Sequence, residues 1–403
     1  MDNFLIIADD FTGANDTGVQ LKKRGIKTNV ILNHKYINAG RSYVIDTESR
    51  NIPQNEAYEK MKNIVSTALK FKFDYVYKKI DSTLRGNIGA EIKAIKEIYK
   101  PDIIIFAPAY PDNERVTING IHLMNNVPIT KTEIANDPNK PVKEDNVKRF
   151  LELETGEKVI HIKLKDIKDE KFEFQNHDFI SFDAETKGDL INISKYVLNL
   201  NKKVLWVGSA GLMDAMLDVL YATNPVLCLI GSVSDISRQQ VKYLSKRRIR
   251  IVRLDIASLL NGMNESNIIS QAVNSLNNGY DTALVTALSH NDYDMAIKVG
   301  NEKGISKEGV SKYTQEIIGK ISKQIILRTK LSGVFITGGD ASISFIKYVN
   351  AYGTEIIGEV QTGIPLEIIR GGVFNGLKII TKAGAFGNKE SIYYCIQKIK
   401  ETL

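Results

Sequence analysis

Short apolar runs alternate with amphipathic segments from the start of the chain: FLIIA at 4–8, YVID at 43–46, DYVYKKI at 74–80 and DIIIFAPA at 102–109. Runs of this length and composition predict buried, parallel strands. Between them Ala57, Met61, Ile64, Val65, Ala68 and Leu69 recur at helical spacing, and so do Ile88, Ile92, Ile95 and Tyr99. Each set lies along one face of a helix. Strand and helix in repeated alternation predict an α/β fold with a doubly wound sheet. A polar stretch rich in Pro and Asn, about 111 to 146, breaks the rhythm and reads as a long irregular segment, a kind that is often functional. DFISFDA at 178–184, a helix from about 189 and KVLWVGSAG at 203–211 resume it.

After TNP at 223–225 a second series begins, with VLCLIGSVSD, IRIVRLDI, DTALVTAL, GVFITGGD, TEIIGEV and LKIITKAG strand-like, and a helix at about 308–328 among those between them. The expected organisation is two domains, 1–224 and 225–403, each a mainly parallel sheet with flanking helices, with a ligand cleft between them.

Composition narrows the function classes. The 54 basic and 47 acidic residues leave a net charge of +7 that is spread along the chain, and the densest basic run, KRRIR at 246–250, reads as solvated surface. Nucleic acid is therefore not an expected partner. Two cysteines, Cys228 and Cys395, sit inside apolar patterns without metal-ligand spacing and read as reduced packing residues. The first apolar run is too short and too acidic in its flank for a signal peptide, and no later run approaches a membrane span, so a cytoplasmic protein without a membrane partner is expected. The histidines, His34, His122, His161, His177 and His290, are scattered; His122 in NGIHLMNN is the one most worth testing.

Ligands of open α/β sheets bind beyond the carboxyl ends of the strands, so polar residues at strand exits carry the candidate chemistry. In the first domain those exits are ADDFTGAND, with Asp9, Asp10 and Asp16; DTESR, with Asp46 and Arg50; and KKIDSTLRGN, with Lys78, Lys79, Asp81 and Arg85. An aspartate there can accept a proton from a substrate hydroxyl, and an arginine can grip a carboxylate through two hydrogen bonds. Local structure also predicts that Asp10 or Thr12 caps the first helix, that Gly86 eases a turn and that Asn87 caps the helix from Ile88. In the second domain the exits carry glycine and hydroxyls: GSVSDISRQQ at 231–240, TGGDAS at 337–342, TGIP at 362–365 and TKAGAFG at 381–387. Such loops let backbone N–H groups approach phosphate oxygens. No Walker A sequence and no strand-placed GxGxxG occurs.

Taken in order, ADDFTGANDTGVQLKKRG, DTESR, KKIDSTLRGNIGAEI, NGIHLMNNVPITKTEIANDPNKPV, GSAGL, GSVSDISRQQ, TGGDAS, GIP and KAGAFG resemble the four-carbon acid sugar kinase family nearly end to end. The resemblance implies an N-terminal sugar-acid domain, a C-terminal nucleotide domain, and ATP-dependent phosphorylation of threonate, erythronate or a 3-oxo-tetronate at its terminal hydroxyl. It implies Asp9, Asp10 and Asp81 as catalytic candidates and Arg50, Lys79 and Arg85 on the sugar acid. Ser232, Ser234, Gly338, Gly339, Asp340, Ala341, Gly384 and Gly387 would meet ATP, with Mg²⁺ as the accompanying ion and its ligands unassigned. Which aspartate is the base, and whether the chain forms a homo-oligomer, stay open. The chain departs from the family pattern at Glu114 and Asn126, where glycine is expected, and at Ala341, Ala383 and Ala385, where hydroxyl or amide side chains are usual. Those alanines motivate a second reading, a sugar-acid-binding regulatory protein that has lost phosphoryl transfer. An oxidoreductase ranks below both, for want of a dinucleotide glycine pattern.

Overall fold

The structure, a computed structural model, describes residues 2–168, 177–247 and 249–402. The chain divides into two compact units, Met1–Ala222 with Thr402–Leu403, and Thr223–Glu401.

The first unit is built on β1 (Phe4–Ala8), β2 (Thr28–Ile31), β3 (Ser42–Asp46), β4 (Tyr75–Lys79) and β5 (Ile103–Ala107), then β6 (Arg115–Ile118), β7 (Ile121–Met124) and β8 (Val127–Pro128), and finally β9 (Ile160–Ile162), β10 (Phe179–Phe182) and β11 (Val204–Gly208). Eight of these form one sheet in the order β2-β3-β1-β4-β11-β5-β10-β9, every pair parallel. Alternate residues of its strands feed two cores, one on each face: Phe4, Ile6 and Tyr77 pack with Leu21 and Met213, while Leu5, Ile7 and Val76 pack with Ile88, Ile92 and Ile95. That two-sided burial is why these strands read as unbroken apolar runs. The expected irregular segment is corrected here: β6, β7 and β8 make a small antiparallel sheet inside it. Glu114 (φ +59°) and Asn126 (φ +63°) stand in its turns in the left-handed region, which accounts for the glycine expected at each.

The second unit has β12 (Val226–Ile230), β13 (Ile249–Arg253), β14 (Asp281–Val285), β15 (Gly333–Thr337), β16 (Gly353–Gln361), β17 (Ile364–Arg370) and β18 (Lys378–Lys382) in the order β13-β14-β12-β15-β18-β17-β16. The first five in that order are parallel; β17 and β16 run antiparallel at one edge. β17 was not expected, and TGIP is the turn of the β16–β17 hairpin rather than an exit of a parallel strand. The predicted helices occupy Lys187–Leu198 and Lys307–Ile326. Of the basic run, Arg248 lies outside the described residues, while Arg247 stacks over the Tyr243 ring at 3.6 Å. No helix among the described residues is long and apolar enough to cross a membrane.

Candidate functional site

In the first unit the chain steps from β1 to the edge and back, so the carboxyl ends of β3, β1 and β4 lie side by side at the point where strand order reverses. Backbone bonds tie the exits together: Ser49 N and Arg50 N donate to Asp9 O at 3.1 and 3.2 Å. The Arg50 guanidinium then straddles Asp9, with Nε 2.7 Å from Oδ2 and Nη2 3.0 Å from Oδ1, and Nη2 also lies 2.8 Å from Asp10 Oδ1. Asp10 caps the helix Phe11–Lys23 by accepting Gly13 N at 3.0 Å. Its side chain stays 30% exposed against 1% for Asp9, so Asp10 is the aspartate of this pair that solvent and solutes reach.

The KKIDSTLRGN segment splits by strand alternation. Lys79 faces the helix Phe11–Lys23; its Nζ donates to Ile80 O at 2.7 Å. Burial pushes the Lys79 ammonium down, against the pull of Asp9, Asp81 and Asp10. Lys78 faces the opposite core, wholly buried, 2.9 Å from Glu91 Oε2 and 3.0 Å from Lys79 O. Glu91 also accepts the Ser49 hydroxyl, which lies 2.6 Å from Thr47 Oγ1. This buried chain of polar groups fixes the DTESR loop to β4, and it explains Lys78 as a support rather than a ligand. The readable signal was Glu91, an acid three residues after Ile88 on the apolar face of its helix.

Asp81 accepts Thr83 Oγ1 at 2.5 Å and Arg85 Nε at 2.7 Å. Burial would raise its pKa, but the bonds from Arg85 and Thr83 and the charge of Arg50 hold it below the usual carboxylate range. Arg85 reaches on to Asp137 Oδ2 at 3.0 Å, a partner that nothing local in the sequence announces. Gly86 takes φ +112°, and a Cβ there would lie 3.1 Å from Asp9 Oδ2, so both the turn and the close approach require glycine. Asn87 occupies the cap position of the helix Ile88–Tyr99 without capping it: its amide donates to Ser49 O at 2.7 Å and Ile52 O at 2.9 Å and accepts Lys140 Nζ at 2.8 Å. Asp46 ends β3 with Oδ1 taking Glu48 N at 3.0 Å and Oδ2 buried without a hydrogen-bond partner among the described residues; burial raises its pKa, helped by Asp10 and Asp9. His122 lies beneath this loop, with Nε2 2.7 Å from Ser82 O and Nδ1 2.9 Å from Thr117 Oγ1. Burial pushes it down to about 4. It is a neutral imidazole that pins the Ser82 carbonyl. A cavity of about 330 Å³ adjoins the loop, lined in part by Leu84, Gly86, Asn87 and Lys140.

In the second unit Ser234 caps the helix Asp235–Ser245 and donates to Gly384 O at 2.9 Å, and its Oγ lies 3.2 Å from Ser232 Oγ. Gly338 (φ +106°) opens the helix Gly339–Tyr348, which has no side-chain cap, so its first N–H groups are available to an anion. Gly338 N bonds Lys382 O at 2.9 Å, which places the TGGDAS turn beside the TKAGAFG loop. Asp340 is exposed and takes Gln315 Nε2 at 3.1 Å, whereas Ala341 is 4% exposed and packs inward. A Cβ at Gly384 would fall 2.3 Å from Ser232 Oγ, and Gly387 has φ +79°. A cavity of about 680 Å³ in this unit is lined by residues such as Arg238, Lys242 and Leu288, and none of the predicted residues lines it.

Two family descriptions match the chain in succession: a sugar-binding N-terminal domain over residues 4–216 and a nucleotide-binding C-terminal domain over residues 227–392. The D-threonate kinase of Salmonella typhimurium is 31% identical, across 98% of this chain and 98% of that one. The chain belongs to the four-carbon acid sugar kinase family. Among other members, the D-erythronate kinase of Heliobacterium modesticaldum is 27% identical over 98% of this chain and 97% of its own. A crystal structure from Bordetella bronchiseptica shares the fold, with a TM-score of 0.61 and 24% identity over 99% of this chain and 98% of that one.

Proposed function

We propose that this protein is an ATP-dependent kinase that phosphorylates the terminal hydroxyl of a four-carbon sugar acid of the threonate, erythronate or 3-oxo-tetronate type. The observation that carries the reading is the meeting of Asp10, the Arg50–Asp9 pair and the Arg85–Asp81 pair at neighbouring strand exits, in a chain matched end to end by kinases of such acids.

The three aspartates take different tasks. Asp9 and Asp81 are committed to Arg50 and Arg85, which they orient. Asp10, the open one, meets the terminal hydroxyl, aligning it and accepting its proton as the new phosphate ester forms. Arg50 and Arg85 keep part of each side chain exposed, at 17% and 28%, and supply the substrate carboxylate with N–H donors. Lys79 is too buried for direct contact and places a positive charge beside Asp9, Asp10 and Asp81. The phosphoryl donor sits on the second unit, at the Gly338–Ala341 turn and the Gly384–Gly387 loop beside Ser232 and Ser234. Mg²⁺ takes one or two carboxylates plus phosphate oxygens, and Asp340, exposed and bonded to a single amide, fits that need; the ion would offset triphosphate charge. The regulatory alternative drew on Ala341, Ala383 and Ala385, but Ala341 is buried and the loops at 383–387 act through backbone groups, so the missing side chains do not argue against catalysis.

An ADP-release assay across the isomers of threonate, erythronate and 3-oxo-tetronate tests this. One or more acids should drive turnover, Asp10→Asn should lower kcat by about 10²–10⁴-fold, and Arg85→Ala should raise the KM for the acid. ADP release that no four-carbon acid stimulates would overturn the substrate assignment; an undiminished Asp10→Asn would overturn the role of Asp10.

A further inference from the structure

Lys382 is the last residue of β18 and opens the KAGAFG stretch. It is 2% exposed, and no carboxylate pairs with it among the described residues. Its ammonium instead donates to three backbone carbonyls of the loop that follows: Ala383 O at 2.9 Å, Gly384 O at 3.2 Å and Phe386 O at 3.0 Å. Other side chains act on the same oxygens. Ser234 and Ser237 hydroxyls reach Gly384 O at 2.9 and 3.0 Å, and Gln240 Nε2 reaches Phe386 O at 3.2 Å and Asn388 O at 2.8 Å. The Lys382 carbonyl meanwhile takes Gly338 N at 2.9 Å, so one residue is bonded to both glycine loops of this unit.

A trans peptide plane sends its N–H away from its C=O. Carbonyls of 383, 384 and 386 drawn inward therefore turn the N–H groups of Gly384, Ala385 and Gly387 outward. We propose that Lys382 is a positioning residue for the nucleotide: it holds the carbonyl side of the 383–387 loop inward so that the amides of Gly384, Ala385 and Gly387 face phosphate oxygens. Lys382 is not itself a phosphate ligand, because its three N–H groups are taken by carbonyls and its ammonium is shielded from solvent. Burial without a counter-ion pushes the ammonium down to about 8, the kind of unfavourable environment that a loop-organising cation has to tolerate. The alanines at 383 and 385 are compatible with this role, since the loop works through its backbone.

The inference rests on the nucleotide reading of the second unit, and the test separates the two. Calorimetry with ADP and ATP, and steady-state kinetics, compare the full-length wild type with Lys382→Met and Lys382→Arg. Lys382→Met should raise the nucleotide Kd and the KM for ATP by about tenfold or more while the KM for the sugar acid stays within about twofold. Lys382→Arg keeps the charge, but its planar fork cannot aim at three oxygens converging on one atom, so it should restore only part of the affinity. A folded Lys382→Met with wild-type nucleotide affinity would overturn the proposal. Hydrogen exchange on the wild type decides the matter if that variant does not fold: ADP should protect the amides of 384, 385 and 387, and unchanged exchange there, with ADP bound, would also overturn it. A wild type that binds no adenine nucleotide would instead sink the nucleotide reading itself.

Discussion

Replacing Glu91 by Gln removes the carboxylate that faces the fully buried Lys78 ammonium beneath the first-unit site. Lys78 would keep the Lys79 carbonyl at 3.0 Å and lose its counter-charge. Breaking a buried pair from one side costs about 3–5 kcal/mol, because the remaining charge cannot be rehydrated. For a unit of this size each kcal/mol moves Tm by about 2–4 °C, so the first unit should melt roughly 6–20 °C lower. Urea unfolding and calorimetry measure this directly. The double variant Lys78→Met/Glu91→Leu removes both charges and should recover most of the loss, since apolar replacements of a buried pair are often neutral or stabilising. A Glu91→Gln loss below about 1 kcal/mol, or a double variant as unstable as the single one, would refute the argument that this ion pair is a committed support of the site.

Three further outcomes follow from the same geometry. His122 is held neutral by burial, with its folded-state pKa near 4 against about 6.5 unfolded, so below pH 6.5 the unfolded state binds a proton that the native state refuses. Stability should fall by about 3 kcal/mol between pH 6.5 and 4 relative to His122→Gln, which lacks the titrating ring; parallel pH profiles would contradict it. Glu114 sits at φ +59°, where a β-carbon is strained, so Glu114→Gly should stabilise the first unit by about 0.5–1 kcal/mol in thermal unfolding, and destabilisation would contradict the strain. Asp137→Asn should loosen Arg85 without touching Asp81, raising the KM for the sugar acid while leaving the KM for ATP unchanged.

Strands buried on both faces were legible because they must be continuous apolar runs, as FLIIA and VLCLI are. β2, a half-exposed edge strand of sequence TNVI, carries no such run, and β6 to β8 are too short and too interrupted by left-handed Asn residues to show a period of two. β17 was hidden by its start at TGIP, which reads as a turn and is one. At the candidate site, the rule that ligands meet strand exits pointed to Asp9, Asp10, Arg50, Asp81 and Arg85, which pair as Arg50 with Asp9 and Asp10 and Arg85 with Asp81. Their pairings were not legible: Arg50 meets Asp9 through the register of β3 on β1, and Arg85 meets Asp137 across 52 positions. Lys382 escaped notice because its partners are carbonyls, which leave no trace in side-chain identity.

On the proposed function, Asp10 and its neighbours would direct a phosphoryl group from ATP onto a four-carbon sugar acid. Mass spectrometry of a reaction of wild-type protein with ATP, Mg²⁺ and each acid reads this most directly. A phosphorylated tetronate should form with wild type and almost none with Asp10→Asn, whose binding of the acid persists. ATP consumed without any phosphorylated acid, or equal product from both proteins, would contradict it.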